Sequence, residues 1–197
     1  TRDGEYRIGM NPVLLVVGAT GTLGGNATRR LLAKGHAVRA MYMYSAMADL
    51  AQELNDNGLK SACETLWKDV IETKMYITSG LGPAEANEGF TGDFDLPNAT
   101  AYAETCASVA LIFWAQRMLH LDLDGQYADV LERALYNGAL SGLSRDGRHY
   151  FYANPLESNG TPTRWEWHTC PCCTMNVARL IGSVGGYLLV RTGSRLW

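Results

Sequence analysis

The chain has 197 residues, 47% of them hydrophobic and 19% charged, with a formal net charge of −3. That is a globular composition with enough apolar material for one ordinary core. A negative balance without a Lys/Arg stripe excludes a nucleic-acid binder, which must neutralise phosphates, and no apolar run approaches the length needed to span a bilayer.

Residues 12–17, "PVLLVV", form a strand-length apolar run followed by a glycine turn at Gly18, Gly21 and Gly24. Leu23, Ala27, Leu31 and Leu32 then recur at helical spacing. Strand, tight glycine turn and helix are the opening of a dinucleotide-binding unit, in which glycines let the backbone approach a pyrophosphate. The string "VVGATGTLGG" resembles NmrA-like atypical short-chain dehydrogenases. A second strand ending in a ribose-reading residue is expected after Gly35 and does not follow, so residues 1–34 read as a βα remnant.

From Ala40 onward the pattern is helical. Tyr42, Ala46 and Leu50 share one face, as do Leu59, Cys63, Leu66, Val70 and Ile71, with Asn55, Asn57 and Gly58 as the break and Gly80 as the stop. Residues 102–119 and 126–143 form a second helical pair joined by "LDLDG". Paired helices with short connections predict an array of α-hairpins. Cys63 lies on an apolar face and reads as core packing.

Five cysteines are present, three of them within "HTCPCCTMN". An odd count with no export signal favours reduced thiols, hence metal or catalysis over disulfides, and a cytoplasmic location. Cys170, Cys172 and Cys173 are too crowded for all three to hold one ion. Upstream, Glu104 and Cys106 stand two residues apart in "ETC". Thiolates plus one carboxylate suit a tetrahedral zinc ion.

The strings "GHAVRAMYMYSAMADLA", "DFDLPNATAYAETCAS", "YNGALSGLS", "FYANPLES" and "CPCC" are, in this order, similar to the core of glycoside hydrolase family 127, the zinc-dependent β-L-arabinofuranosidases. The similarity runs over about residues 35–188. It implies a mainly α chain, an incomplete (α/α)6 toroid of helical hairpins, with residues 35–190 as the catalytic region and 191–197 as an unassigned tail. It implies zinc held by Glu104, Cys106, Cys172 and Cys173, with Cys172 as nucleophile and Glu88 as general acid and base. His36, Glu132 and Tyr152 would contact an arabinofuranoside. Thr174 and Met175 stand where the family carries two prolines.

Without the resemblance, plainer readings hold for several of these positions. Glu88 is a solvated loop carboxylate, Glu132 a surface ion-pair partner of Arg133, and Tyr152 part of an alternating core segment. Trp165 and Trp167 read as buried aromatics, and His120, His149 and His168 as surface or packing residues. Two rival functions remain: an NAD(P)-binding dehydrogenase-like protein, and a non-catalytic helical module stabilised by zinc. A second copy of the chain is the one protein partner left open.

Overall fold

The computed structural model describes residues 35–187, 191–192 and 195–196. The glycine turn and the βα expectation for residues 1–34 lie outside them. The described chain is mainly helical: α1 (Ala37–Glu53), α2 (Asn57–Thr73), α3 (Thr105–Leu121), α4 (Gly125–Arg133) and α5 (Cys172–Ser183). A π-helical turn (Ala134–Ala139) and a 3-10 turn (Leu140–Gly142) extend α4. A second 3-10 turn (Val184–Tyr187) follows α5, and β1 (Arg191–Thr192) pairs antiparallel with β2 (Arg195–Leu196).

The hairpins have local causes. Asn55 takes φ of 50°, and the Asp56 side chain accepts the amides of Gly58 and Leu59, so α1 stops and α2 starts within three residues. Asp124 caps α4 in the same way through the Gln126 amide. Two of the helix limits differ from expectation. Helix α2 ends at Thr73 rather than near Gly80, because Lys74 leaves helical geometry and is buried against Asp69 and Asp93. Helix α3 begins at Thr105 rather than Tyr102, because Ala103 has φ of 38°.

Helix α3 is the buried axle, apolar on nearly every side, with α1, α4 and α5 against it. An aromatic chain ties the hairpins together: Tyr44 of α1 to Trp114 of α3 (4.9 Å between centroids), Trp114 to Trp67 of α2 (5.0 Å), and Trp67 to Tyr127 of α4 (4.8 Å). Each such pair adds about 0.5–1.5 kcal/mol beyond its area burial. Cys63 is fully buried in this core. The Tyr42, Ala46 and Leu50 face of α1 is not the one turned inward. Ala37, Ala40, Met41, Tyr44, Met47, Ala48 and Ala51 are, since small alanines let α1 approach α3 closely.

Two irregular segments, 74–104 and 143–171, close over one end of the helices. The second is pinned to the start of α3: the Thr105 amide donates to the Tyr152 carbonyl (3.0 Å), its hydroxyl to the Phe151 carbonyl (2.7 Å), and the Asn154 side chain to the Ala103 carbonyl (2.8 Å).

Candidate functional site

The starts of α1, α3 and α5 meet at that end, and the irregular segments supply the remaining side chains. His36 is the N-cap of α1, Glu104 that of α3, and Cys106 lies in the first turn of α3. Cys172 and Cys173 open α5. Neither Glu104 nor Pro171 caps its helix with a side chain, so the Glu104 carboxylate is free to face the thiols. Thr174 and Met175 complete the first turn of α5, the Thr174 hydroxyl donating to the Pro171 carbonyl at 2.7 Å.

The four residues converge. Cys106 Sγ lies 3.3 Å from Cys173 Sγ, Cys172 Sγ 4.0 Å from Cys173 Sγ, and Glu104 Oε1 3.5 Å and 3.7 Å from Cys172 and Cys173. All four ligand atoms fall within 4.8 Å of one another. The sulfurs are free and well beyond a covalent S–S length of about 2.05 Å. Glu104 is 3% exposed and its Oε2 is buried with no hydrogen-bond partner. An orphaned carboxylate oxygen beside three sulfurs is a donor set that fits a cation. Cys170, by contrast, is exposed, and the Cys172 amide hydrogen bond holds its thiol below the usual range.

Without a cation these thiols hold their protons. Burial pushes Cys172 up to about 12. Cys106 is raised by the hydrogen bond it donates to Cys173 and then by burial. In Cys173 that hydrogen bond lowers the value, but burial and the charges of Glu104 and Cys172 raise it overall.

Beside the thiols stands a second group. His36 Nε2 lies 2.8 Å from Glu88 Oε2, and the Tyr102 hydroxyl donates to Glu88 Oε1 at 3.1 Å. Glu88 sits at φ of 49°, and its carbonyl accepts the Ala37 amide. This closeness needs Gly89, where a Cβ would come within 2.1 Å of the Gly35 carbonyl oxygen. Glu88 is therefore not a freely solvated carboxylate. Glu104 belongs to both groups, since ligand atoms of His36, Glu88 and Glu104 also lie within 4.8 Å of one another.

Tyr152 is buried, its hydroxyl 3.3 Å from Cys172 Sγ. Burial first, and then that contact, raises its own ionisation. His36, Glu88, Glu104, Cys106, Tyr152 and Cys172 line one cleft of about 1070 Å³, and Cys173 does not. Glu132 does not join them; it is exposed on α4 and does not line the cleft. The two tryptophans are not buried either: Trp165 is 49% and Trp167 61% exposed, because the 143–171 segment runs over the surface. Trp165 lines the cleft with its edge against His168, whose ring packs on Tyr152 at 4.3 Å. Sequence reasoning passed over Tyr102 and Asn176 and gave His168 only a surface or packing role. For Asn176 a signal existed, since it falls four residues after Cys172 on the same helical face.

Three comparisons bear on this arrangement. The family model described as β-L-arabinofuranosidase, GH127 catalytic domain, matches residues 28–186. A non-reducing end β-L-arabinofuranosidase of Bifidobacterium longum subsp. longum is 44% identical over 169 residues, which is 79% of this chain and 25% of that protein. The structure of a GH127 β-L-arabinofuranosidase from Geobacillus stearothermophilus T6 superposes with a TM-score of 0.81 at 53% identity, covering 85% of this chain and 28% of that one. Another GH127 β-arabinofuranosidase structure gives 0.81 at 37%, covering 93% and 33%. The chain thus spans about a quarter of the length of the curated relative it matches.

Proposed function

Because the chain belongs to the GH127 β-L-arabinofuranosidase catalytic-domain family, we propose that it carries the catalytic centre of a retaining glycoside hydrolase acting on non-reducing terminal β-L-arabinofuranosides. The observation that carries this reading is the shared carboxylate of Glu104, which joins a three-sulfur cluster to a His36–Glu88 pair within one cleft. Retaining hydrolysis needs a nucleophile on one face of the sugar and a proton donor on the other.

Glu104, Cys106, Cys172 and Cys173 would hold zinc, which accepts sulfur and oxygen donors together and, when bound, removes the thiol protons that burial otherwise retains. Cys172 is the nucleophile because it is the least buried of the three, whereas Cys106 and Cys173 are buried. Glu88 gives its proton to the glycosidic oxygen as Cys172 Sγ attacks the anomeric carbon. The C–O bond breaks, a C–S bond forms, and the alcohol leaves. Glu88, now a carboxylate, takes a proton from water as the water attacks the same carbon and the cysteine sulfur departs. His36 and Tyr102 hold the two Glu88 oxygens so that the proton is delivered from one place. His36 and Tyr152 also offer polar atoms to sugar hydroxyls, and Glu132 would do so only after moving toward the cleft.

Residues 35–190 are a partial catalytic region, an incomplete (α/α)6 toroid, in this reading, with 1–34 and 191–197 outside it. No helix among the described residues is long and apolar enough to cross a membrane, and free thiols suit a reducing, cytoplasmic setting. The family match supports hydrolysis over the dehydrogenase-like alternative, which rests on residues outside those described.

Release of a chromogenic alcohol from its β-L-arabinofuranoside tests the proposal. Glu88→Gln and Cys172→Ser should each abolish it, and zinc should be present at one per chain. Unchanged turnover in both variants would remove the mechanism.

A further inference from the structure

Beside the sulfur cluster a polar chain links α1, α3 and α5. The Asn176 side-chain amide donates from Nδ2 to Cys106 Sγ at 3.0 Å. Its carbonyl oxygen accepts from the Tyr42 hydroxyl at 2.8 Å and from Arg179 at 3.1 Å. Arg179 also donates to the Tyr42 hydroxyl, and its guanidinium stacks over the rings of Phe113 at 4.6 Å and Tyr42 at 5.3 Å. Two donors on the carbonyl oxygen leave one orientation for the amide, with its N–H groups toward the sulfur. Phe113 and Cys106 both belong to α3, so the chain returns to the helix that carries its target.

We infer that Asn176 is a positioning residue for the cation site, holding Cys106 as a ligand through an N–H···S hydrogen bond that Tyr42 and Arg179 orient. This rests on the proposed metal site and extends it to residues that are not themselves ligands of the cation. Hydrogen bonds from the surroundings fix the direction of a ligand and the charge it can share with a metal, and their loss typically costs 10–100-fold in affinity. The same bond separates the roles of two sulfurs. Cys106 is 1% exposed and receives an amide N–H, whereas Cys172 opens toward the cleft beside a tyrosine hydroxyl.

The test uses the full chain, with zinc affinity measured by competition against 4-(2-pyridylazo)resorcinol. The variants are Asn176→Asp, which keeps size and removes the N–H donor, Asn176→Ala, and Tyr42→Phe, which removes a single oxygen remote from the sulfur. Both Asn176 variants should bind zinc about tenfold to a hundredfold more weakly, and Tyr42→Phe should weaken it by a smaller factor. With Co²⁺ in place of zinc, the sulfur-to-metal charge-transfer band should move to longer wavelength in Asn176→Ala. A purely structural role would lower the melting temperature of the chelator-treated protein without moving that band. If the Asn176 variants do not fold, Tyr42→Phe decides: unchanged affinity overturns the inference. Wild-type affinity and an unmoved band in folded Asn176 variants overturn it while leaving the metal site standing. Failure of the wild type to bind zinc or cobalt overturns the proposed function as well.

Discussion

The hydroxyl of Tyr152 lies 3.3 Å from the sulfur of Cys172, although the two residues stand twenty positions apart on different segments. The Tyr152 ring packs on His168 and faces that of Tyr102, so its place does not depend on the hydroxyl. Tyr152→Phe should therefore fold normally and lose the hydroxyl's contacts with Cys172 and Tyr102. A net hydrogen bond of about 1 kcal/mol corresponds to roughly a fivefold fall in kcat on a chromogenic arabinofuranoside. A melting temperature that falls while kcat stays unchanged would assign Tyr152 to packing instead.

The thiols give the metal-free protein a pH dependence with a definite sign. Cys172 rises from the ordinary 9.0 to about 12 on folding. A raised value means the folded state keeps a proton that the unfolded chain releases. The associated stability is complete below about pH 9 and disappears between there and about pH 12. Melting curves recorded with chelator from pH 8 to 11 should decline, and Cys172→Ser should flatten part of that decline. Zinc binding near pH 7 should release about three protons, from Cys106, Cys172 and Cys173, measurable by calorimetry in buffers of different ionisation enthalpy. Uptake of zinc with no proton release would contradict buried, protonated thiols.

Gly138 in the π-helical turn has no room for a side chain. A Cβ there would meet Ser108 Oγ at 2.5 Å and Ser108 Cβ at 2.7 Å. Gly138→Ala should destabilise by about 1–3 kcal/mol in urea unfolding. Adding Ser108→Gly should recover a large part of that loss, and additive losses in the double variant would show that the contact is not the cause.

Cys63 serves as the internal control among the thiols. It is fully buried in the core and distant from the cluster in role, its thiol raised by burial to about 12. Cys63→Ser should cost about 1–3 kcal/mol by burying an unpaired hydroxyl, yet leave one zinc per chain. Cys173→Ser should do the reverse, lowering zinc affinity more than it lowers chelator-treated stability.

The capping of α2 can be weighed separately. Asp56 accepts two backbone amides, from Gly58 at 2.8 Å and Leu59 at 3.1 Å. Asp56→Ala should cost about 1 kcal/mol, read as a lower urea midpoint with an unchanged slope. Full retention of stability would show that Asn55, already turned at φ of 50°, suffices to separate α1 from α2.

Much of the fold can be read in the residues themselves. The spacing of Cys63, Leu66 and Val70 placed the inner face of α2, although Leu59 does not join it, and "LDLDG" placed the turn before α4, because helical period and capping chemistry are local properties. The same local evidence misjudged α1, whose inner face is built on small alanines that a hydrophobic count underweights. It also misjudged Trp165 and Trp167, whose exposure follows from the path of a segment with no periodicity.

The ligand types were legible for a similar reason: a Cys pair and an E-x-C string carry their chemistry wherever they fold. That they meet was legible only through the family resemblance, not from the spacing of the residues. It required three helix starts to converge on one end of α3, a buried carboxylate oxygen left without a partner, and a glycine at 89 that lets Glu88 close on His36. Those distances arise from long-range packing and from backbone angles outside the usual regions. The sequence by itself determined which groups are available and on which helices, through short-range periodicity; only the tertiary structure decided which of them touch, because burial and chain crossing act between residues far apart in the chain.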